Sequence, residues 1–166
     1  MWHRTEMTGP RDTISVPAMS RGPRIRELNA RQMEFVLRRN HVGRVAFLSD
    51  ARVELQPIHY VFDDGAIYGR TSVGTKHLNF LLRPEVVFEV DEANGLFDWR
   101  SVIVRGKLTV LRSRGPRAEV FAYWNGVAAV RTLSPDAFTE RDPMPYRSVL
   151  FRIQSASITG REAVTR

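Results

Sequence analysis

The sequence predicts a mainly β protein, a six-stranded antiparallel barrel with short helices as plugs, and three features carry that prediction. The first is Asp63-Asp64-Gly65 between two β-rich segments, because glycine accepts the positive φ that a tight hairpin turn requires. The second is a succession of short β-rich runs, VVFEVD and VLFRIQSASI among them, whose apolar residues alternate or run together. The third is that the helical stretches are short and do not alternate regularly with the strands, which favours an antiparallel meander over a βαβ sheet.

The elements follow in order. Met1 to about Pro23 is rich in Pro, Ser, Thr and Gly and reads as an arm, flexible or packed on a partner, ahead of a single domain over 24–166. Asn29 is placed to cap a helix from Ala30 to Asn40, with Met33, Val36 and Leu37 on one face and Gly43 as its stop. Strands are predicted over Arg44–Leu48, Val53–Phe62 and Ala66–Thr71, with a turn at 49–52. Lys76–Leu82 forms two helical turns, stopped by Arg83-Pro84. Val86–Asp91 is a strand, Glu92–Asp98 a loop, and Trp99–Leu111 a long strand in which Gly106 marks a bulge or bend. Pro116 starts a helix over Arg117–Trp124 and Ser134-Pro135-Asp136 starts a shorter one; Val149–Ile158 closes the barrel.

Composition narrows the function classes. A chain of 166 residues can bury the core of one domain without covalent staples. There is no cysteine, which excludes disulfides, thiolate metal sites and cysteine nucleophiles. No apolar run reaches the length a membrane span needs, and the N-terminal stretch lacks the apolar segment of a signal peptide, so a cytoplasmic location is expected. The net charge is +7, yet only Lys76 and Lys107 among the 25 basic residues are lysines, and the arginines are scattered along the chain. That distribution does not make the stripe or patch of a nucleic-acid binder. His3 and His41 have no carboxylate or histidine at metal-ligand spacing, and no metal is expected.

The chemistry concentrates in Thr71-Ser72-Val73-Gly74-Thr75-Lys76. Three hydroxyls, a glycine and a lysine precede a helix start, where free backbone N–H groups favour an anion. Arg70 supplies a second cation at the edge of the loop, and His77 is a helix-surface residue or a phosphate neighbour. By these residues alone the loop is either an anion cradle or a plain polar turn, because it lacks the spacing of a Walker A loop.

The ordered set GRVAFLSD, VELQPIHYVFDDGAIYGRT, SVGTKHLNFLLRPEVVFEVD and DWRSVIVRGKL resembles the pyridoxamine 5'-phosphate oxidase-like FMN-binding split barrels, most closely the nitroimidazole-resistance-type subgroup. The likeness covers Gly43–Leu111; the arm and the C-terminal third match loosely. It implies a homodimeric split barrel with FMN in grooves between the subunits. It further implies a flavin-dependent oxidoreductase passing electrons or hydride from a nicotinamide donor to a small-molecule acceptor. In that likeness Ser72, Gly74, Thr75 and Lys76 hold the FMN phosphate, with Thr71 and Arg70 beside them. Thr75 stands where some relatives carry arginine, so more falls on Lys76 and Arg70. Gln56, Pro57, Ile58 and His59 run along the isoalloxazine ring, and Trp99, Arg100 and Ser101 stand on the strand that meets it. Ser101 occupies the place of a flavin-contacting glutamine of authentic pyridoxamine phosphate oxidase, and the C-terminal tryptophan/arginine substrate pair is missing. Both departures speak against that enzyme's own activity. The alternatives are the deazaflavin F420 as cofactor, and a non-catalytic flavin or haem carrier or sensor.

His59 has two readings. Histidine as a residue type exchanges a proton near neutral pH and can serve as a proton donor or, for haem, as an axial ligand; it can equally fill the strand face and bond a neighbour. Trp99 either stacks on a partner's flavin or caps the barrel. Phe121 and Trp124, at helical spacing with Ala118, are expected to pack inward.

Overall fold

The structure is a computed structural model that describes residues 23–74 and 81–164. Seven antiparallel strands and two helices make up the described chain: β1 (Arg24–Glu27), α1 (Ala30–Arg39), β2 (Val42–Ser49), β3 (Arg52–Asp63), β4 (Ala66–Thr71), β5 (Glu85–Gly95), β6 (Asp98–Val110), α2 (Arg117–Leu133) and β7 (Val149–Val164). The sheet order β1-β7-β4-β3-β2-β5-β6, with β7 also paired to β6, closes β2–β7 into the expected six-stranded barrel. β1 is a seventh strand that the sequence reading did not separate; it pairs Arg24–Glu27 against Arg161–Val164.

Alternation builds the interior. Val45 and Phe47 of β2, Tyr60 and Phe62 of β3, Phe88 and Val90 of β5, Val102 and Val104 of β6, and Phe151 and Ile153 of β7 point inward and are buried. α1 adds Val36 and Leu37 to that core. Asn29 caps α1 by accepting from the Gln32 N–H at 2.9 Å while Gln32 returns the bond to the Asn29 N–H, a reciprocal capping box. Inside the barrel the Tyr60 hydroxyl donates to the Leu37 carbonyl at 2.9 Å, which ties α1 to β3. Burial, with Glu92 and Glu89 nearby, pushes that phenol well above its ordinary value, so it remains a donor. α2 packs outside the barrel, where Val127, Ala129 and Val130 cover Ala66 and Tyr68 of β4 and Leu150 of β7.

Several predicted boundaries move. Gly43 does not stop α1: Asn40 ends it in extended backbone, and Gly43 lies inside β2, where a Cβ would fall 2.2 Å from the Phe88 ring. The predicted loop at Glu92–Asp98 is largely strand, because β5 runs to Gly95 and turns directly into β6. Gly106 does sit at a bulge: the β6–β7 register shifts between Arg105 and Gly106, and a Cβ would meet the Gln154 carbonyl oxygen at 2.1 Å. α2 runs to Leu133 rather than Trp124, and residues 135–138 form turns rather than a helix. β7 extends to Val164 because β6 and β1 give its polar second half partners. Phe121 and Trp124 are 67% and 55% exposed, so they do not pack inward; α2 turns Val127 and Val130 to the barrel instead. The predicted helix at Lys76–Leu82 falls mostly outside the described residues.

Candidate functional site

The barrel opens where β3 and β4 part. They pair only over Tyr60–Asp63 and Ala66–Gly69, although β4 continues to Thr71 on β7 and β3 begins at Arg52. Among the described residues, Arg52–His59 therefore pairs on its β2 side alone. The Tyr60 N–H donates to the His41 carbonyl on that side at 2.9 Å. Backbone alternation then turns the polar groups of Leu55 and the Pro57 carbonyl to the unpaired edge. Proline fits there, because an N–H missing from that edge costs the sheet no ladder bond.

The predicted phosphate loop leaves the sheet at this parting. Thr71 ends β4 half-buried, and Ser72 and Gly74 are exposed. A side chain at position 74 would meet nothing within 4 Å, so packing does not demand glycine there and the space beside the backbone is open. Thr75, Lys76 and His77 lie outside the described residues. Hydroxyl donors, an open backbone and a lone strand edge offering N–H and C=O together suit a phosphate ester attached to a ring with a polar edge.

Arg70 is not the free cation set beside the loop by the sequence reading. Its guanidinium is buried and bonds Asp142 at 2.5 and 3.3 Å, and it stacks 4.9 Å from the Phe138 ring centre. Asp142 also accepts the Phe138 and Met144 N–H groups at 2.7 and 2.9 Å. The Arg70 bond leads these effects and outweighs burial, holding the carboxyl at about 2. His59 projects from the outer face of β3 into a cavity of about 310 Å³ that Arg70 also lines.

Trp99 and Ser101 line a second groove on the outer face of β6, with Met33, Arg105 and Arg161. The Ser101 hydroxyl donates to Glu89 at 3.0 Å. Arg44 binds Glu89 at 3.1 Å and also Asp91, and those bonds, Asp91's first, raise its already high affinity for a proton. Ser101 is thus one member of a polar cluster drawn from β2, β5 and β6. Arg100 points elsewhere, donating at 2.8 Å to Glu162, which Arg26 also binds at 2.5 Å. Glu162 is fully buried; burial raises its pKa, but the two arginines more than offset that and lower it overall. Gln56 turns into the barrel wall, with its side-chain oxygen buried and without a hydrogen-bond partner.

Asp142, Arg147, Glu89 and Glu162 escaped the sequence reading. Each owes its place to pairing between distant strands or to the path of the 134–148 segment, and none sits in a short-range pattern. The described residues hold no group of three or more His, Asp or Glu placed for a metal ion, and no helix among them is long and apolar enough to cross a membrane.

Comparison with known proteins follows the same lines. The family profile described as pyridoxamine 5'-phosphate oxidase matches residues 29–162. A FAD-binding protein from Mesorhizobium loti is 26% identical, with a TM-score of 0.68 over 84% of this chain and 98% of its own. A putative pyridoxamine 5'-phosphate oxidase from Corynebacterium glutamicum is 25% identical, with a TM-score of 0.58 over 85% and 94%. A putative 5-nitroimidazole antibiotic resistance protein from Bacteroides thetaiotaomicron shares the fold at 13% identity, with a TM-score of 0.61 over 84% and 88%. No curated protein matches. With a closed six-stranded barrel, a parted β3–β4 edge and a profile match over most of its length, the chain belongs to the pyridoxamine 5'-phosphate oxidase family of split barrels.

Proposed function

We propose that this protein is a flavoprotein that binds FMN and acts as an oxidoreductase on a small molecule. The observation that carries the proposal is the parting of β3 from β4, which leaves Leu55–Pro57, among the described residues, paired on the β2 side alone, with its other edge open beside the hydroxyl- and glycine-bearing loop. Ser72, Gly74, Thr75 and Lys76, with Thr71, hold the phosphate, while the 56–59 strand orients the ring. Trp99 and Ser101 lie on β6, away from that edge in the same chain, and would meet the flavin held by a partner copy. The Mesorhizobium loti relative is described as FAD-binding, which supports a flavin over other phosphate esters.

When bound, the flavin supplies hydride transfer between a nicotinamide donor and a small oxidised acceptor. The chain's own part is to anchor the phosphate, present backbone groups to the ring and offer His59 as a proton donor. Authentic pyridoxamine phosphate oxidase activity is not proposed, given serine at position 101. A second copy of the chain completes the site: Leu48, Val53, Leu55 and Val87 leave an exposed apolar face on β2, β3 and β5 next to the unpaired edge.

The test is the absorption spectrum of the purified protein, followed by FMN titration monitored by flavin fluorescence. A flavin spectrum, or saturable quenching on reconstitution, is the expected result. Protein that is colourless and takes up no FMN overturns the proposal, and a Soret band would assign haem instead. Lys76→Ala should weaken FMN about tenfold or more, through loss of a charge-assisted hydrogen bond. An unchanged dissociation constant in that variant removes Lys76 from the phosphate site.

A further inference from the structure

The cavity of about 310 Å³ that receives His59 lies between the outer face of β3–β4 and the C-terminal part of α2, and Ser134, Met144 and Arg147 of the next segment close it. Its volume falls at the lower end of small-molecule sites. Val61, Tyr68, Val130, Leu133 and Met144 give it apolar and aromatic walls.

Three of its polar side chains decide what it can hold. Arg70 carries no spare charge, because Asp142 neutralises it inside the protein. Arg147 is half-buried at the cavity wall, and among the described residues its side chain has no carboxylate or hydrogen-bond partner; the same holds for the His59 imidazole. The cavity thus presents one guanidinium without a carboxylate partner to a space walled mainly by apolar and aromatic groups. A planar monoanion satisfies a single guanidinium through two parallel bonds. A doubly charged phosphate would call for the second cation that Asp142 has taken. The apolar walls favour a flat ring, with Met144 offering a sulfur contact to its edge.

We propose that this cavity binds a small aromatic carboxylate, with its carboxylate on Arg147 and its ring between Val61, Val130 and Leu133. The binding stands on the cavity alone; the ligand's nearness to the ring rests on the flavin proposal, since His59 belongs to both the cavity and the strand assigned to the ring.

The experiment is calorimetric titration of the full chain with benzoate and, separately, with its neutral isostere benzamide, with and without FMN. Benzoate should bind at one saturable site, and benzamide at least about tenfold more weakly. Arg147→Gln should abolish that preference, bringing benzoate binding down to about the level of benzamide. Leu133→Trp, at a partly exposed rim position, should block both ligands. Thermal unfolding identifies any variant that fails to fold, and the Arg147→Gln result then decides. Absence of saturable benzoate binding, or full retention of benzoate preference in Arg147→Gln, overturns the proposal. FMN uptake without benzoate binding refutes the cavity assignment alone. Benzoate binding without FMN uptake refutes the flavin reading and leaves the cavity assignment standing.

Discussion

Arg70 and Asp142 lie 72 residues apart in sequence and meet in a buried bidentate pair that fixes the 134–148 segment to β4. Asp142 also holds the N–H of Phe138, whose φ of 61° lies in the left-handed region that bulky residues rarely adopt. Asp142→Ala should therefore cost about 3–5 kcal/mol of unfolding free energy in denaturant melts, because it strands a buried guanidinium. The pH dependence follows from the carboxyl's shift below its ordinary value of 3.8 to about 2. A depressed folded-state value stabilises the fold fully above the unfolded value and loses that contribution as pH falls through the folded one. Melting temperature should consequently drop between about pH 4 and pH 2 in the native protein, and Asp142→Asn should flatten that part of the profile. The sequence made Arg70 visible as a cation next to a phosphate-type loop. It gave no sign that the charge was spent, since nothing local links position 70 to position 142.

Among the elements, β7 shows how pairing overrides local pattern. Its alternation is clear to Ile158, yet the strand continues to Val164 because β6 and β1 supply hydrogen-bond partners for a stretch rich in polar residues. The short β1 is held by four residue pairs and by Arg26 on Glu162, a carboxylate with no exposure that Arg100 shares. Glu162→Gln should loosen this corner by about 1–3 kcal/mol. Hydrogen exchange should show faster opening at Arg24–Glu27 than in the β5–β6 hairpin; uniform exchange across both would mean that the ion pair does not govern β1. The Gly106 bulge makes a sharper case. Gly106→Ala puts a methyl onto the Gln154 carbonyl and should destabilise the barrel by about 1–3 kcal/mol. Here the sequence did speak: an interior glycine in a long strand announced the bend, and the DDG turn announced the β3–β4 hairpin, where Asp64 and Gly65 take φ values of 47° and 71°. The direction of α2 was less legible, because a helix with apolar residues on more than one face does not declare which it buries.

Across the whole molecule, a broad apolar surface lies exposed, among the described residues, on the outside of β2, β3 and β5. Val53 and Leu55 are 76% and 61% exposed there, beside Leu48 and Val87. Solitary apolar residues on a surface are ordinary; this contiguous set on one sheet face is the seam proposed for a second copy. Leu55→Glu should convert the proposed dimer to monomer by light scattering and weaken FMN in parallel; a dimer that survives the substitution would move the interface elsewhere.

By itself the sequence determined the antiparallel barrel, its principal hairpin, its bulge and the loop chemistry suited to a phosphate. All of these depend on neighbours within a few residues, where φ preference, alternation and side-chain type act directly. Only the tertiary structure decided that β3 and β4 part beyond Tyr60, that Arg70 is neutralised, that Ser101 joins Arg44, Glu89 and Asp91, and that Arg147 faces a cavity beside His59. Those outcomes depend on strand register and on charges brought together across the barrel, and register is set by the closure of the whole sheet rather than by any one segment.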